Sequence, residues 1–85
     1  MDYDAMTPPV ILRSRLPGDR ILPLGLGGTK KIKSFFIDEK VPRNRRWRVP
    51  LLVDAASVLW IAGMNLSEKV RISEETRTYL KVEIV

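Results

Sequence analysis

The sequence predicts a small α+β domain, a mixed sheet with a central apolar hairpin and two short helices. Two nearly all-apolar arms, Leu51-Leu52-Val53-Asp54 and Val58-Leu59-Trp60-Ile61-Ala62, flank the short spacer Ala55-Ala56-Ser57, which is the pattern of a hairpin buried on both faces. Ile32, Phe35 and Phe36 fall at i, i+3 and i+4, the buried stripe of a helix. The chain is 85 residues long, 45% hydrophobic and 29% charged, which is enough for one modest core and ordinary for a globular chain.

Taken in order, residues 1–9 read as a flexible lead-in or linker remnant, and residues 10–85 as a single domain. Pro8-Pro9 stiffens the entry into a β-branched strand starting at Val10, whose period of two puts Ile11, Arg13 and Arg15 on one face. Leu16-Pro17-Gly18-Asp19 is a turn in which proline presets φ and glycine takes the positive-φ position. Residues 20–24 resume an extended path that Pro23 confines to an edge or an irregular strand.

Gly25-Leu26-Gly27-Gly28 is a loop, and Thr29 is placed to cap the helix carrying the Ile32/Phe35/Phe36 stripe. Glu39 would lie under that stripe, so the helix is expected to end near Asp38. Val41-Pro42 breaks the chain and starts a second short helix over residues 42–47, which Pro50 closes. After the hairpin, Ser67-Glu68-Lys69 suits a single helical turn and residues 73–76 a turn. Tyr79, Lys81 and Glu83 alternate with Leu80, Val82 and Ile84, as in a half-exposed final strand.

Neither cysteine nor histidine occurs, so thiol or imidazole metal sites and Ser/His or Cys/His catalytic pairs cannot be built from these residues. Asp19 and Asp38 have no convincing catalytic partner. The longest apolar run, residues 50–63, is too short to span a bilayer. The expectation is a soluble, cytoplasmic, non-catalytic domain that needs no cofactor or metal of its own and no membrane.

Net charge is +5, but its placement is more informative. Residues 13–48 hold eleven Lys or Arg against three acids, whereas residues 49–85 hold four bases and five acids. Solubility surfaces mix signs, and this stretch does not. The cations are Arg13, Arg15, Arg20, Lys30, Lys31, Lys33, Lys40, Arg43, Arg45, Arg46 and Arg48, with arginine outnumbering lysine nine to six over the whole chain. Arginine gives bidentate phosphate contacts.

Gly25-Leu26-Gly27-Gly28-Thr29-Lys30-Lys31 lacks the spacing of a Walker A loop or a dinucleotide fingerprint. It is either a plain turn or a loop letting backbone approach an anion at a helix start. Lys30 and Lys31 in the first turn of one helix, and Arg43, Arg45 and Arg46 at the start of the next, would oppose both helix dipoles. A bound polyanion explains that repeated conflict, and nucleic acid suits it better than anionic lipid. Phe35, Phe36 and Trp60 are core candidates. Trp47, among arginines, has either a packing role, which is favoured, or a stacking one on a base or an arginine.

The residues Arg13-Ser14-Arg15-x-Pro17-Gly18-Asp19-Arg20-x-x-Pro23-Leu24-Gly25-x-x-Gly28-x-Lys30-Lys31-x-Lys33-x-x-Phe36, then Lys40-Val41-Pro42, Arg46 and Pro50-Leu51-Leu52-Val53-Asp54, form a recognisable series. It resembles the C-terminal domain of tRNA(Ile)-lysidine synthetases. That family joins lysine to the wobble cytidine of a minor isoleucine tRNA using ATP, on an N-terminal domain with a Ser-Gly-Gly-x-Asp-Ser loop that this sequence lacks. The resemblance implies a non-catalytic tRNA-recognition domain that grips the acceptor-stem region. ATP and Mg are implied only for the catalytic domain of the same polypeptide. Arg13, Arg15, Arg20, Lys30, Lys31, Lys33, Lys40 and Arg46 match family positions, whereas Arg45 and Trp47 depart from the pattern. The alternative is a protein-interaction or dimerisation module using a partly exposed hairpin 50–62, and whether the chain forms a homodimer stays open.

Overall fold

In the computed structural model, which describes residues 1–83, the hairpin sits at the middle of a six-stranded mixed sheet. The strands are β1 (Ile11–Arg13), β2 (Arg20–Ile21), β3 (Lys30–Lys31), β4 (Leu51–Val53), β5 (Val58–Ile61) and β6 (Asn65–Leu66). Their order is β1-β4-β5-β2-β3, with β6 also paired to β5. All contacts are antiparallel except β2 with β5, where Ile21 lies opposite Val58 in a parallel pair.

Both hairpin arms are nearly all apolar because both faces are covered. Leu51, Val53, Val58 and Ile61 pack with Ile21, Ile32, Phe35 and Phe36 under helix α1 (Ile32–Asp38). Leu52 and Leu59 turn to the other face and pack with Met6 and Val70, and Trp60 lies against that cluster. A register shift between Leu52 and Val53 inserts an extra residue in β5, so that Val58 and Ile61 reach the same face despite their odd separation. The hairpin is therefore interior. Leu51, Leu52, Val53, Val58, Leu59, Ile61 and Ala62 are all buried, which leaves the protein-interaction alternative only half-buried Trp60 and the exposed Pro50, Ala55, Ala56 and Ser57.

Helix α1 ends where the stripe predicts, through a Schellman arrangement. The N–H of Lys40 donates to the Ile37 carbonyl at 3.1 Å and that of Val41 to the Phe36 carbonyl at 2.8 Å. Lys40 takes the left-handed conformation (φ 55°) that glycine usually supplies at this position. Its start differs from expectation. Thr29 is not the cap, and Lys30 and Lys31 precede the helix as β3, paired with Ile21 and Arg20. Backbone pairing to a strand ten residues earlier takes these residues, and Thr29 instead accepts from Arg20 Nε at 2.9 Å. The second helix is a 3-10 helix over Arg43–Arg48 with Pro42 at its N-cap.

Two terminal expectations are corrected. Residues 1–7 are held on the second core cluster and are not a loose lead-in. They form a 3-10 helix (Tyr3–Ala5), bury Met6 and bond to the C-terminal stretch, with Met1 and Leu80 exchanging two hydrogen bonds at 2.8 Å. The final strand shrinks to one bridge, Asp2 with Tyr79, because its partner turns into the 3-10 helix after a single pair. Side-chain alternation nevertheless survives as half-buried Leu80 and Val82 between exposed Tyr79, Lys81 and Glu83. Ile84 and Val85 lie outside the described residues. Among those described, no helix is long and apolar enough to cross a membrane.

Candidate nucleic-acid interface

Four of the eleven cations meet. Arg15, Lys33, Arg43 and Arg46, with Trp47, line a cleft of about 380 Å³. They come from three places in the chain. Arg15 lies just past β1, Lys33 in the first turn of α1, and Arg43 and Arg46 on the 3-10 helix. A 3-10 helix has three residues per turn, so Arg43 and Arg46 project on one side, and Arg45 and Arg48 on another. Among the described residues none of these four cations forms an ion pair.

Local hydrogen bonds hold the cleft walls. Arg46 Nε donates to the Val41 carbonyl at 3.0 Å, fixing its guanidinium beside the α1 terminus. Ser14 Oγ donates to the Trp47 carbonyl at 2.6 Å and so joins the end of β1 to the 3-10 helix. Arg13 builds the turn that carries Arg15. Its guanidinium grips Asp19 through two bonds of 2.7 and 3.1 Å, while Asp19 also accepts from the Leu16 N–H at 2.8 Å and Gly18 takes the predicted positive φ of 85°. Burial alone would raise the Asp19 carboxyl. The Arg13 and Leu16 hydrogen bonds, with the charges of Arg13 and Arg15, outweigh it and hold the group below the usual carboxylate range. The same bond to Asp19 outweighs burial in raising the Arg13 guanidinium.

The remaining cations do not join this cleft. Directly opposed residues share a sheet face. Arg13 opposite Leu51, and Lys30 opposite Ile21, are therefore on the α1 side. Arg20 and Lys31, opposite each other, point from the reverse face. Arg20 is spent on Thr29, through its side-chain and main-chain oxygens. Lys30 is paired with Asp38 and sits 4.5 Å from the Phe35 ring centroid. Lys40 is exposed at the end of α1, Arg45 is exposed on the 3-10 helix, and Arg48 lies 5.0 Å over the Trp47 ring. The expectation of one surface gathering all eleven is thus reduced to a core of four.

Two further expectations are revised. The dipole conflict is reduced, since Lys30 and Lys31 pair as β3 and Arg45, Arg46 and Arg48 occupy the last turn of the 3-10 helix, where positive charge is favourable, but Lys31 remains the N-cap of α1 and Arg43 the first residue of the 3-10 helix. Lys33 alone keeps a first-turn position in α1. The glycine loop forms a turn, and N–H groups at its start and at the start of α1 are already taken. Gly25 and Gly27 have φ of 76° and 75°, the Gly25 N–H is donated to Glu68 at 3.3 Å, and the first N–H of α1, on Ile32, is donated to the Asp19 carbonyl at 3.0 Å.

Trp47 is where sequence reasoning was weakest. It is 61% exposed and joins neither core cluster, so the packing reading fails. The cations on either side of it in sequence were the available signal. Asp54 was also passed over. Its buried carboxylate accepts from the N–H groups of Thr7, Ala56 and Ser57 at 2.7–2.9 Å and from Lys69 Nζ at 2.6 Å.

The family described as TilS substrate C-terminal domain matches residues 10–83. The chain is 43% identical over 82 residues to the tRNA(Ile)-lysidine synthase of Caldanaerobacter subterraneus subsp. tengcongensis, covering 96% of this chain and 18% of that protein. It is 45% identical over 76 residues to the same enzyme of Geobacter sulfurreducens, covering 89% and 16%. The chain thus spans less than a fifth of the length of these relatives. A crystal structure of a TilS C-terminal domain superposes with a TM-score of 0.78 at 36% identity, over 89% of this chain and 58% of that one. An N-terminal fragment of the phenylalanyl-tRNA synthetase β-subunit from Pyrococcus horikoshii superposes at 0.67 with 23% identity, over 89% and 24%, a likeness of fold alone. The family match spans nearly the whole chain, and the chain belongs to the TilS substrate C-terminal domain family.

Proposed function

We propose that this domain grips the acceptor-stem region of a minor isoleucine tRNA through the cleft of Arg15, Lys33, Arg43 and Arg46. It does so for a tRNA(Ile)-lysidine synthase whose catalytic domain, with ATP and Mg, belongs to the same polypeptide. The reading carries a cytoplasmic setting with it. The observation that supports it is the meeting in one cleft of four cations, from three places in the chain and without an ion pair among the described residues. Like charges held together repel, which costs stability unless a polyanion offsets it. A-form RNA offers phosphates and 2′-hydroxyls to a surface recognised mainly by shape, and arginine forks suit the phosphates.

The test is a titration of this chain with the transcribed isoleucine tRNA at several salt concentrations. If each cleft cation meets one phosphate, log K falls against log salt with a slope of roughly −3 to −4. Lys33→Glu with Arg43→Glu lowers affinity by roughly 100-fold or more and leaves the melting temperature close to that of the parent, because neither side chain is buried. A salt-independent affinity, or a double variant that binds like the parent, would overturn the proposal.

A further inference from the structure

The cleft has one lining residue that charge does not explain. Trp47 has the largest exposed fraction among the exposed large hydrophobic residues described, at 61%. An isolated exposed apolar side chain needs no explanation by itself. This one, however, lies on the wall of the cleft that holds Arg15, Lys33, Arg43 and Arg46. Its backbone is fixed by Ser14 Oγ on its carbonyl, and the Val49 N–H closes the 3-10 helix on the Arg46 carbonyl at 3.3 Å. The guanidinium of Arg48 lies over the ring, 5.0 Å from its centroid, and most of the residue's surface stays exposed. A pre-positioned aromatic plane surrounded by cations is what binds an unstacked base: the plane takes the base and the cations take its phosphates.

Base pairs within an RNA helix have no free π-face, since each is covered by its neighbours. Unstacked bases occur at ends, loops and bulges. A duplex can lie across a cleft of about 380 Å³, but only a nucleotide free of the helix can enter it, and that volume is within the roughly 300–1,000 Å³ of small-ligand sites. Resting on the RNA reading above, we infer that Trp47 stacks one unpaired nucleotide at the single-stranded end of an RNA helix. Arg15, Lys33, Arg43 and Arg46 hold the phosphates on either side of it. The domain thereby measures where the duplex ends as well as gripping its backbone.

The experiment compares two RNAs, a blunt hairpin and the same hairpin with a short unpaired 3′ extension. Both are titrated against the parent chain, Trp47→Ala and Trp47→Phe. The extended RNA should bind the parent more tightly than the blunt one and quench its tryptophan fluorescence. Trp60, the other tryptophan, packs on the second core cluster and should contribute little quenching. Trp47→Ala should lose roughly 5- to 150-fold for the extended RNA, lose much less for the blunt one and melt like the parent, while Trp47→Phe should keep most of the increment. Equal effects of Trp47→Ala on both RNAs, or no effect on either, would sink the stacking role while the phosphate-gripping role stands. If neither RNA binds the parent at low salt, both readings fall.

Discussion

The molecule holds two clusters of charge that obey opposite rules. At the tip of the hairpin, the Asp54 carboxylate is fully buried with its partners supplied from within: three backbone N–H groups, the Ser57 hydroxyl at 3.3 Å and Lys69. At the far end of β1, Arg15, Lys33, Arg43 and Arg46 gather with no carboxylate on the cleft wall. The first cluster is architecture. It clips the N-terminal segment, through Thr7, and the 3-10 helix of Glu68–Val70, through Lys69, onto the central hairpin. The second is held in place by bonds to its backbone and to one guanidinium nitrogen, which leaves its charge for something outside the chain. A charge satisfied internally reports on stability. One that the fold positions and leaves unpaired reports on a partner.

The largest effect that would break this contrast lies at the closed cluster. Asp54→Ala leaves buried N–H groups without an acceptor and Lys69 without its counter-ion, at a cost of about 3–4 kcal/mol. Urea denaturation should show it as a lower midpoint. A loss below about 1 kcal/mol would mean that the clip is ornamental. RNA binding by whatever fraction stays folded should be unchanged.

Acid sensitivity is the next largest effect. Burial by itself raises the Asp54 carboxyl, but hydrogen bonds from Lys69 and from the Thr7, Ala56 and Ser57 N–H groups outweigh it and hold the group far below its ordinary value of 3.8. Asp19 is shifted the same way. A carboxyl depressed in the folded state contributes stability that is fully present above its unfolded pKa and is lost as pH falls through that value toward the folded one. Unfolding free energy should therefore be nearly level from pH 7 to about 5 and drop steeply below about 4. Asp54→Asn should start lower and fall less. Parallel curves for the two proteins would remove Asp54 from the acid limb.

The two clusters also differ in how far the sequence discloses them. The hairpin, the Ile32/Phe35/Phe36 stripe, the end of α1 and the Pro17-Gly18 turn were legible because each rests on local periodicity or local φ preference. The start of α1 was not, because pairing of Lys30 and Lys31 with Ile21 and Arg20 is a tertiary event that outweighs a good local cap at Thr29. The docked N-terminus was missed for a related reason: one Met at position 6 among polar and small residues has no period, yet it is buried in the second core cluster. For the cations, composition located the basic half but not the cleft. Which of them meet depends on strand parity and on three-residue spacing in a helix whose 3-10 character the sequence does not announce. Asp54 carries no local signal of its role, because its partners Lys69 and Thr7 lie fifteen and forty-seven positions away.

The smallest predicted effect separates two lysines that sequence alone treats alike. Lys30 and Lys33 are three residues apart, but Lys30 is paired with Asp38 and leans on Phe35, whereas Lys33 faces the cleft. The Lys30–Asp38 pair is solvent-exposed, so Lys30→Gln should cost no more than about 0.5 kcal/mol. On the proposed reading it should also leave the salt dependence of tRNA binding as it was, because that charge is already balanced and lies off the cleft. Lys33→Gln should be equally silent in denaturation yet reduce the salt slope by about 1. If instead the two substitutions shift the slope alike, the phosphates sense the overall charge of the basic half, and the distinction between paired and unpaired cations does not govern what the domain binds.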